Sequence, residues 1–377
     1  MAGSILIVGA GFAGAVHARV LAEAGYRVHV IDKRPHIAGN AYDYTDANGI
    51  RVHAYGPHLF HSKSRNIVDW VSRFGVFIPY VHKVRALLPG GAYAPLPVNL
   101  DTVNAVFGTG FETAAQVRAH LATLALPIVE PANAAEHLLA NIGAALTDLF
   151  FRPYTKKMWG LELEEMAVAV VKRIPLRFGR NDTYFADDEM QMLPRDGYTA
   201  LFESIFAHSN ISVVLNTAFD KSMLAAHEFC FNAMPIDEYF GFALGELPYR
   251  SLRFHHDNVM GVPAQDWSVT NFTGTGKFTR ETCWHVLPQH LVRHTGRHTR
   301  TREEPCDYRD NNMERYYPVK TADERYSLLY ERYRAMAAAE AQKMQFIGRC
   351  GTYQYLDMDQ VINQSLLSAQ RFLACAG

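Results

Sequence analysis

The chain lacks several things, and each lack closes a class of function. Its net charge is -1, from 37 basic against 38 acidic residues, so it carries no excess field to draw in nucleic acid or an acidic membrane surface. Five cysteines (Cys230, Cys283, Cys306, Cys350 and Cys375) are odd in number, scattered and never spaced as CxxC. That excludes a disulfide framework or a cysteine-ligated zinc, and it fits a reducing compartment. No apolar run approaches the roughly 18 residues of a membrane span. The apolar start, residues 4–16, has three glycines and no basic residue ahead of it, unlike a signal peptide. A cytoplasmic protein without nucleic-acid or membrane partners is expected. There is no internal repeat and no low-complexity tract, and 377 residues is room for two or three domains.

What is present begins at residue 5. Ile5-Leu6-Ile7-Val8 reads as a strand buried on both faces, followed at once by Gly9-Ala10-Gly11-Phe12-Ala13-Gly14 and a helix over 15–24. Gly25 stops that helix, and Val28-His29-Val30-Ile31 is the next parallel strand, ending at Asp32. Glycines at this spacing supply a tight turn, close approach to a pyrophosphate and tight helix–strand packing. The helix N-terminus offers unpaired N–H groups to phosphate, and Asp32 can accept hydrogen bonds from a ribose. The run Lys33-Arg34-Pro35-His36-Ile37-Ala38-Gly39-Asn40 adds a second glycine-containing turn. It resembles the extension in FAD proteins of the amine-oxidase and glutathione-reductase type, so FAD is the expected cofactor.

Farther on, strand patterns fill 78–97, with Gly90-Gly91 as a hairpin turn, and helical ones fill 101–166, with Asp101 and Asn133 as caps. Residues 176–193 read as extended, 197–206 as helix, and 211–215 and 229–232 as strands. The stretch 249–308 is strand-rich, clearest at 269–273 and 283–287. Residues 323–345 read as helix, and a final helix starts at Asp359. The sequence thus predicts an α/β fold. A FAD-binding Rossmann-like domain is built from 1–77, 195–247 and 330–377. A helical domain is inserted at 98–171, and an antiparallel-sheet substrate domain takes 78–97, 172–194 and 248–329. The start of the last helix, Met358-Asp359-Gln360, would turn its positive end toward the flavin.

Between these segments lie dense clusters of aromatics and cations. They are Phe150-Phe151-Arg152-Pro153-Tyr154-Thr155-Lys156-Lys157-Met158-Trp159-Gly160, then Lys172-Arg173-Ile174-Pro175, Asn181-Asp182-Thr183-Tyr184-Phe185, Thr279-Arg280, Tyr317-Pro318 and Gly348-Arg349 with Tyr355-Leu356-Asp357-Met358. With Tyr55-Gly56-Pro57-His58-Leu59-Phe60-His61, these motifs in this order resemble the bacterial UDP-galactopyranose mutase family nearly end to end.

The resemblance implies a flavin-dependent isomerase that interconverts the pyranose and furanose forms of a nucleotide sugar, with reduced FAD attacking the anomeric carbon through N5. The reductant would be NAD(P)H or another donor. Arg173 and Arg280 would clamp the diphosphate, helped by the Tyr184, Tyr317 and Tyr355 hydroxyls. Phe150, Phe151 and Tyr154 would hold the uracil. Thr155, Trp159, Asn271 and His82 would line the sugar site, and 172–180 would form a mobile loop with Gly179 as hinge. Gly9, Gly11, Phe12, Gly14, Asp32, Lys33, Gly39 and Asn40 would hold the dinucleotide. His58, Leu59, His61, Arg349, Leu356, Asp357, Met358 and Asp359 would lie against the flavin. A homodimer and a place in surface-polysaccharide synthesis follow by the same analogy.

Taken alone, many of these residues have plainer readings. Phe150 and Phe151 at a helix end are core side chains, Tyr154 and Trp159 are packing, and the charges of 172–180 are a solvated face. The pairs His58/His61 and His294/His298 have metal-like spacing, but the second brackets Gly296 and lacks an acid in register, so no metal is expected. The basic run 293–302 reads as an exposed strand edge guarded by charge. Departures from the family pattern include Asp32 for Glu, Ala38 for Gly, Ala233-Met234 before Pro235, 194–197, Cys283-Trp284-His285 after Arg280, and His82 where Asn is common. They bear on the sugar, leaving UDP-N-acetylgalactosamine or a dTDP-deoxysugar as alternatives to galactose. An amine-oxidase-type flavin oxidoreductase and a flavin-free binding protein are the competing classes.

Overall fold

The computed structural model describes residues 3–172, 176–185, 188, 190–261 and 265–376. Its centre is a five-stranded parallel sheet in the order Ile211–Val214, Arg27–Ile31, Ser4–Val8, Phe229–Asn232, Met344–Phe346. Ile5, Leu6 and Ile7 are 0–1% exposed, as an apolar run in a strand covered on both faces must be. The helix Phe12–Glu23 leaves the first strand and is buried almost all round. It lies beside the last helix, Met358–Ala376, where the His17 imidazole meets Ser368 Oγ at 3.0 Å. Three distant stretches of chain build this one sheet.

A second sheet of seven strands runs Tyr317–Pro318, Tyr249–Met260, Arg297–Asp307, Arg280–Cys283, Val269–Phe272, Val84–Leu87, Tyr93–Leu96. It is antiparallel except where Val269–Phe272 pairs in parallel with Val84–Leu87, so the predicted antiparallel sheet is mixed. The helices Leu100–Phe107, Ala114–Leu124, Ala134–Leu146 and Arg152–Trp159 form a separate layer around Val103, Val117, Leu121 and Leu146. The starts of the first three are capped by side chains. Asn99 accepts from the Thr102 amide, Thr113 forms a capping box with Gln116, and Asn133 accepts from the Glu136 amide. Gly143, at φ +73°, breaks the third helix, and a π-turn over Thr147–Phe151 follows. A Cβ at Gly143 would stand 2.6 Å from the Leu124 carbonyl oxygen, so the kink requires glycine. The π-turn re-aims the chain just before Tyr154.

Several expectations are corrected. Asn99, not Asp101, caps its helix, because the chain turns two residues earlier. Among the described residues of 176–193 the one strand is at the end, in Met190–Pro194; 176–185 is loop apart from an isolated bridge between Thr183 and Lys83. The strand expected at 283–287 is Arg280–Cys283, and Trp284–Val286 is a 3₁₀ turn. The basic strand is not an edge: Arg297–Asp307 lies between two partners, and its arginines pair with Asp257 and Glu281 across the sheet. The helix expected over 323–345 ends at Ala338, and Met344–Phe346 supplies the outermost strand of the parallel sheet.

Candidate functional site

The first half of the site is a cradle at the C-terminal ends of the parallel strands, where such sheets bind ligands. Gly11 stands at the N-cap of Phe12–Glu23 with no side-chain cap, so the first amides of this helix remain for a ligand. A Cβ at Gly14 would lie 1.9 Å from the Gly9 carbonyl oxygen, and one at Gly39 would lie 3.0 Å from Gly11 Cα. Bare backbone therefore lines the turn. Asp32 is buried and accepts from the Ala10 and Arg34 amides, both at 2.8 Å, which fixes its carboxylate at the rim. Ala38 takes a left-handed φ of +71° without being glycine, and its amide donates to the Ala10 carbonyl at 2.9 Å. The adjoining Asn40 accepts from Arg34 at 2.9 Å. Lys33 is exposed, and it is Arg34 that turns inward, pairing with Glu314 over the Tyr55 ring. Phe12 presents only backbone to the cradle, since its ring packs on Phe202 with centroids 4.6 Å apart.

The second half is a cluster of cations and rings contributed by four regions. Arg280 Nε donates to Glu303 Oε2 at 2.9 Å. Glu303 is 1% exposed while the arginine side chain is 23% exposed, so the guanidinium is anchored below and open above. Burial pushes the Glu303 carboxyl up, and the guanidinium opposes that rise. Asn271 sits directly opposite Arg280 in the sheet register. Arg349 lies 5.2 Å from the Tyr317 ring centroid and 5.1 Å from that of Tyr355. Tyr317 and Tyr355 stack at 5.1 Å with planes 7° apart, and Trp159 closes on both. Burial of its hydroxyl end raises the Tyr154 phenol, and Arg280, Tyr184 and Tyr355 are among the groups that act on it. Thr155 is buried on the same helix.

A third group adjoins these two. His61 pairs with Asp188 and stacks on Phe185 at 3.7 Å. His82 is 5% exposed, and its Nδ1 has no hydrogen-bond partner among the described residues. Its ring lies 5.5 Å from that of Tyr184. Burial, then Arg280 and His61, bring the His82 imidazole down to about 3. His58 donates from Nδ1 to the Gly56 carbonyl, and burial with Arg349 and Arg280 brings it to about 4. Both rings are thus neutral near pH 7. Leu59, Leu356 and Met358 pack on the core beneath the cradle, and Asp359 accepts from Ser62 at 3.1 Å. Asp357 lies in the same turn, ahead of Met358–Ala376.

The sequence-derived candidates are therefore gathered, with exceptions. Phe150 and Phe151 belong to the helical core, where Phe151 walls a cavity of about 170 Å³ with Val98, His137 and Leu176. Arg173 lies outside the described residues. Sequence reasoning gave no role to Tyr316 and Phe185 and missed Glu303 and Arg250, whose guanidinium bonds the Met158 and Lys157 carbonyls at the end of the Tyr154 helix. An acid directly after a run rich in basic residues was the only cue to Glu303.

Residues 149–355 match the family model for UDP-galactopyranose mutase, and residues 7–74 that for an NAD(P)-binding Rossmann-like domain. The chain is 36% identical to a probable UDP-galactopyranose mutase of Klebsiella pneumoniae over 98% of its own length and 95% of the relative's. The chain belongs to the UDP-galactopyranose mutase family. Its class of chemistry is accordingly isomerisation. It is also 34% identical to a dTDP-fucopyranose mutase of Escherichia coli, over 98% of each chain. A crystal structure of reduced UDP-galactopyranose mutase superposes with a TM-score of 0.79 at 16% identity, covering 100% of this chain and 94% of the other, which speaks for the fold. No helix among the described residues is long and apolar enough to cross a membrane, and no cluster of three or more metal-ligating side chains occurs among them. The bare-backbone turn, the uncapped helix start and the fixed Asp32 fit the FAD expected from the sequence.

Proposed function

We propose that this family member interconverts UDP-galactopyranose and UDP-galactofuranose and does so with reduced FAD. The observation that carries the reading is the charge balance of the cluster: Arg280 is paired with the buried Glu303, while a second guanidinium, Arg349, lies against the Tyr317 and Tyr355 rings. The surplus positive charge suits a diphosphate, whose oxygens guanidinium forks bind bidentately. When bound, reduced flavin supplies the nucleophile for the anomeric carbon, so the chain needs none of its own.

Arg280, seated on Glu303, holds the diphosphate and stabilises the charge that develops on it as it departs, a task in which fixed charge contributes several kcal/mol. The Tyr184, Tyr317 and Tyr355 hydroxyls orient the same group. The stacked Tyr317 and Tyr355 rings with Trp159 keep water from the sugar. His82 and His58, neutral near pH 7, add no charge beside the flavin. Arg173 is assigned the second arm of the clamp by family resemblance, as are a cytoplasmic homodimer and a role in surface polysaccharide. The dTDP-fucopyranose mutase among its relatives keeps a dTDP-deoxysugar as the second reading.

The test is anaerobic incubation of dithionite-reduced protein with UDP-galactofuranose, UDP-N-acetylgalactosamine and dTDP-fucose, scored by chromatography. Conversion of UDP-galactofuranose only when reduced, and its loss in Arg280→Ala, is expected. Turnover of the dTDP sugar alone would transfer the assignment to that substrate, and no turnover of any would overturn it.

A further inference from the structure

Lys157 is the one cation of the Tyr154 helix that faces the mixed sheet. Its ammonium donates to the carbonyls of Phe272 at 2.9 Å, Gly274 at 2.7 Å and Phe278 at 2.9 Å. An ammonium has three donors, and all three are used. The acceptors lie at the end of Val269–Phe272 and in the loop that joins it to Arg280–Cys283, the hairpin that carries Asn271 and Arg280. Three carbonyl oxygens converging on one point repel one another unless a cation sits between them. The loop shape therefore depends on this side chain.

The same last turn of the helix is also held through its backbone. Arg250 bonds the Met158 carbonyl at 2.9 Å and the Lys157 carbonyl at 3.2 Å. Tyr154, Thr155 and Trp159 thus ride on a helix clamped to one strand by Arg250 and to the Arg280 hairpin by Lys157. No carboxylate among the described residues takes part, which distinguishes this contact from the ion pairs around it: Lys156 goes to Glu162, Arg152 to Asp148 and Glu164, and Lys277 to Glu304.

We propose that Lys157 is a positioning residue for the mutase reaction, fixing the distance between the tyrosine-bearing helix and the diphosphate-binding Arg280 through its three carbonyl bonds. The inference rests on the assignment of Arg280 to the diphosphate. A uniform loosening of the fold would lower stability and flavin content without preference for one kinetic constant. A misplaced Arg280 instead weakens the hold on the nucleotide.

The experiment compares reduced wild type, Lys157→Met and Lys157→Arg for kcat, KM and UDP affinity between pH 6.5 and 9.5. Tm and flavin content are measured alongside. In Lys157→Met, KM and the UDP Kd are expected to rise about tenfold or more while kcat changes less than threefold. Arginine, which keeps the charge and several donors, should recover most of the loss. A pH readout separates this from mere packing. Among the described residues Nζ itself meets the three carbonyls and no charged partner; the charged groups on the elements packed against it are Arg250, Lys277 with Glu304, and Arg280 with Glu303. Burial lowers the Lys157 ammonium to about 8, and the charged form is the one that holds the loop. Wild-type UDP affinity should accordingly fall as pH rises above about 8, with no such limb in Lys157→Met and none below pH 9.5 in Lys157→Arg. Should the Met variant fail to fold, the shifted limb of the Arg variant decides the matter. Unchanged constants, equal losses in every parameter, or the same alkaline limb in all three proteins overturns the proposal. An inactive wild type would instead remove the functional reading on which it stands.

Discussion

Replacing Arg280 by methionine should damage stability as well as activity, and in a pH-dependent way. The substitution takes the cation from a carboxylate that is 1% exposed and whose second oxygen, Oε1, already has no partner among the described residues. Removing one member of such a pair costs about 3–5 kcal/mol, because the other charge is left buried alone. With about 2.1 cal/mol/K of unfolding entropy per residue, a chain of 377 residues turns that into a Tm loss of about 4–6 °C. Glu303 escapes part of the penalty by taking a proton. Burial already raises its carboxyl, and loss of the guanidinium raises it further. A group whose folded pKa lies above its unfolded one stabilises at low pH and loses that contribution as pH rises. The Tm deficit of Arg280→Met should therefore be smaller at pH 5.5 than at pH 8.5. Adding Glu303→Leu should restore most of the Tm at every pH, since an apolar pair replaces a lone buried charge. Activity should stay lost in both. The assay is thermal unfolding of the flavin-loaded proteins across that pH range. A deficit that does not vary with pH, or a double variant as unstable as the single one, would refute the argument.

Two further outcomes are expected. Gly14→Ala places a methyl 1.9 Å from the Gly9 carbonyl oxygen, a backbone atom that cannot swing away. The variant should purify colourless or with FAD bound at least tenfold more weakly, read from the flavin absorbance and by titration. The second concerns acid. Burial lowers His17 to about 4, His82 to about 3 and His290 to about 4. Depressed imidazoles stabilise the fold above their unfolded pKa of about 6.5 and lose that contribution as pH falls toward the folded value, each by on the order of 3 kcal/mol. Tm should drop steeply between pH 6.5 and 4, and His17→Gln should flatten part of the slope.

The nucleotide cradle is legible in the chain because its chemistry is local. A strand, a glycine turn, a helix start and an acid lie within thirty residues, and their geometry follows from backbone rules that act over short range. The same holds for the caps at Thr113 and Asn133 and the hairpin at Gly90-Gly91. Motif order likewise pointed to the family. Pairing between distant strands was another matter. Nothing near Met344-Gln345-Phe346 announces that these residues close a parallel sheet begun at Ser4, because their partner Phe229–Asn232 is over a hundred residues away. The basic strand Arg297–Asp307 looked like an edge because its charges face outward, and only the sheet order revealed acids waiting on both neighbours.

The candidate site divides along the same line. Sequence alone determined which residue types are present to meet a diphosphate and a flavin, since arginines, tyrosines and glycines owe their chemistry to their own atoms. Tertiary structure decided which of them act together. It set Glu303 under Arg280, stacked Tyr317 on Tyr355, sent Phe150 and Phe151 into the helical core, and lodged the Lys157 ammonium in the mouth of the Arg280 hairpin. Those relations depend on burial and on distances between segments far apart in the chain, and a linear pattern encodes neither.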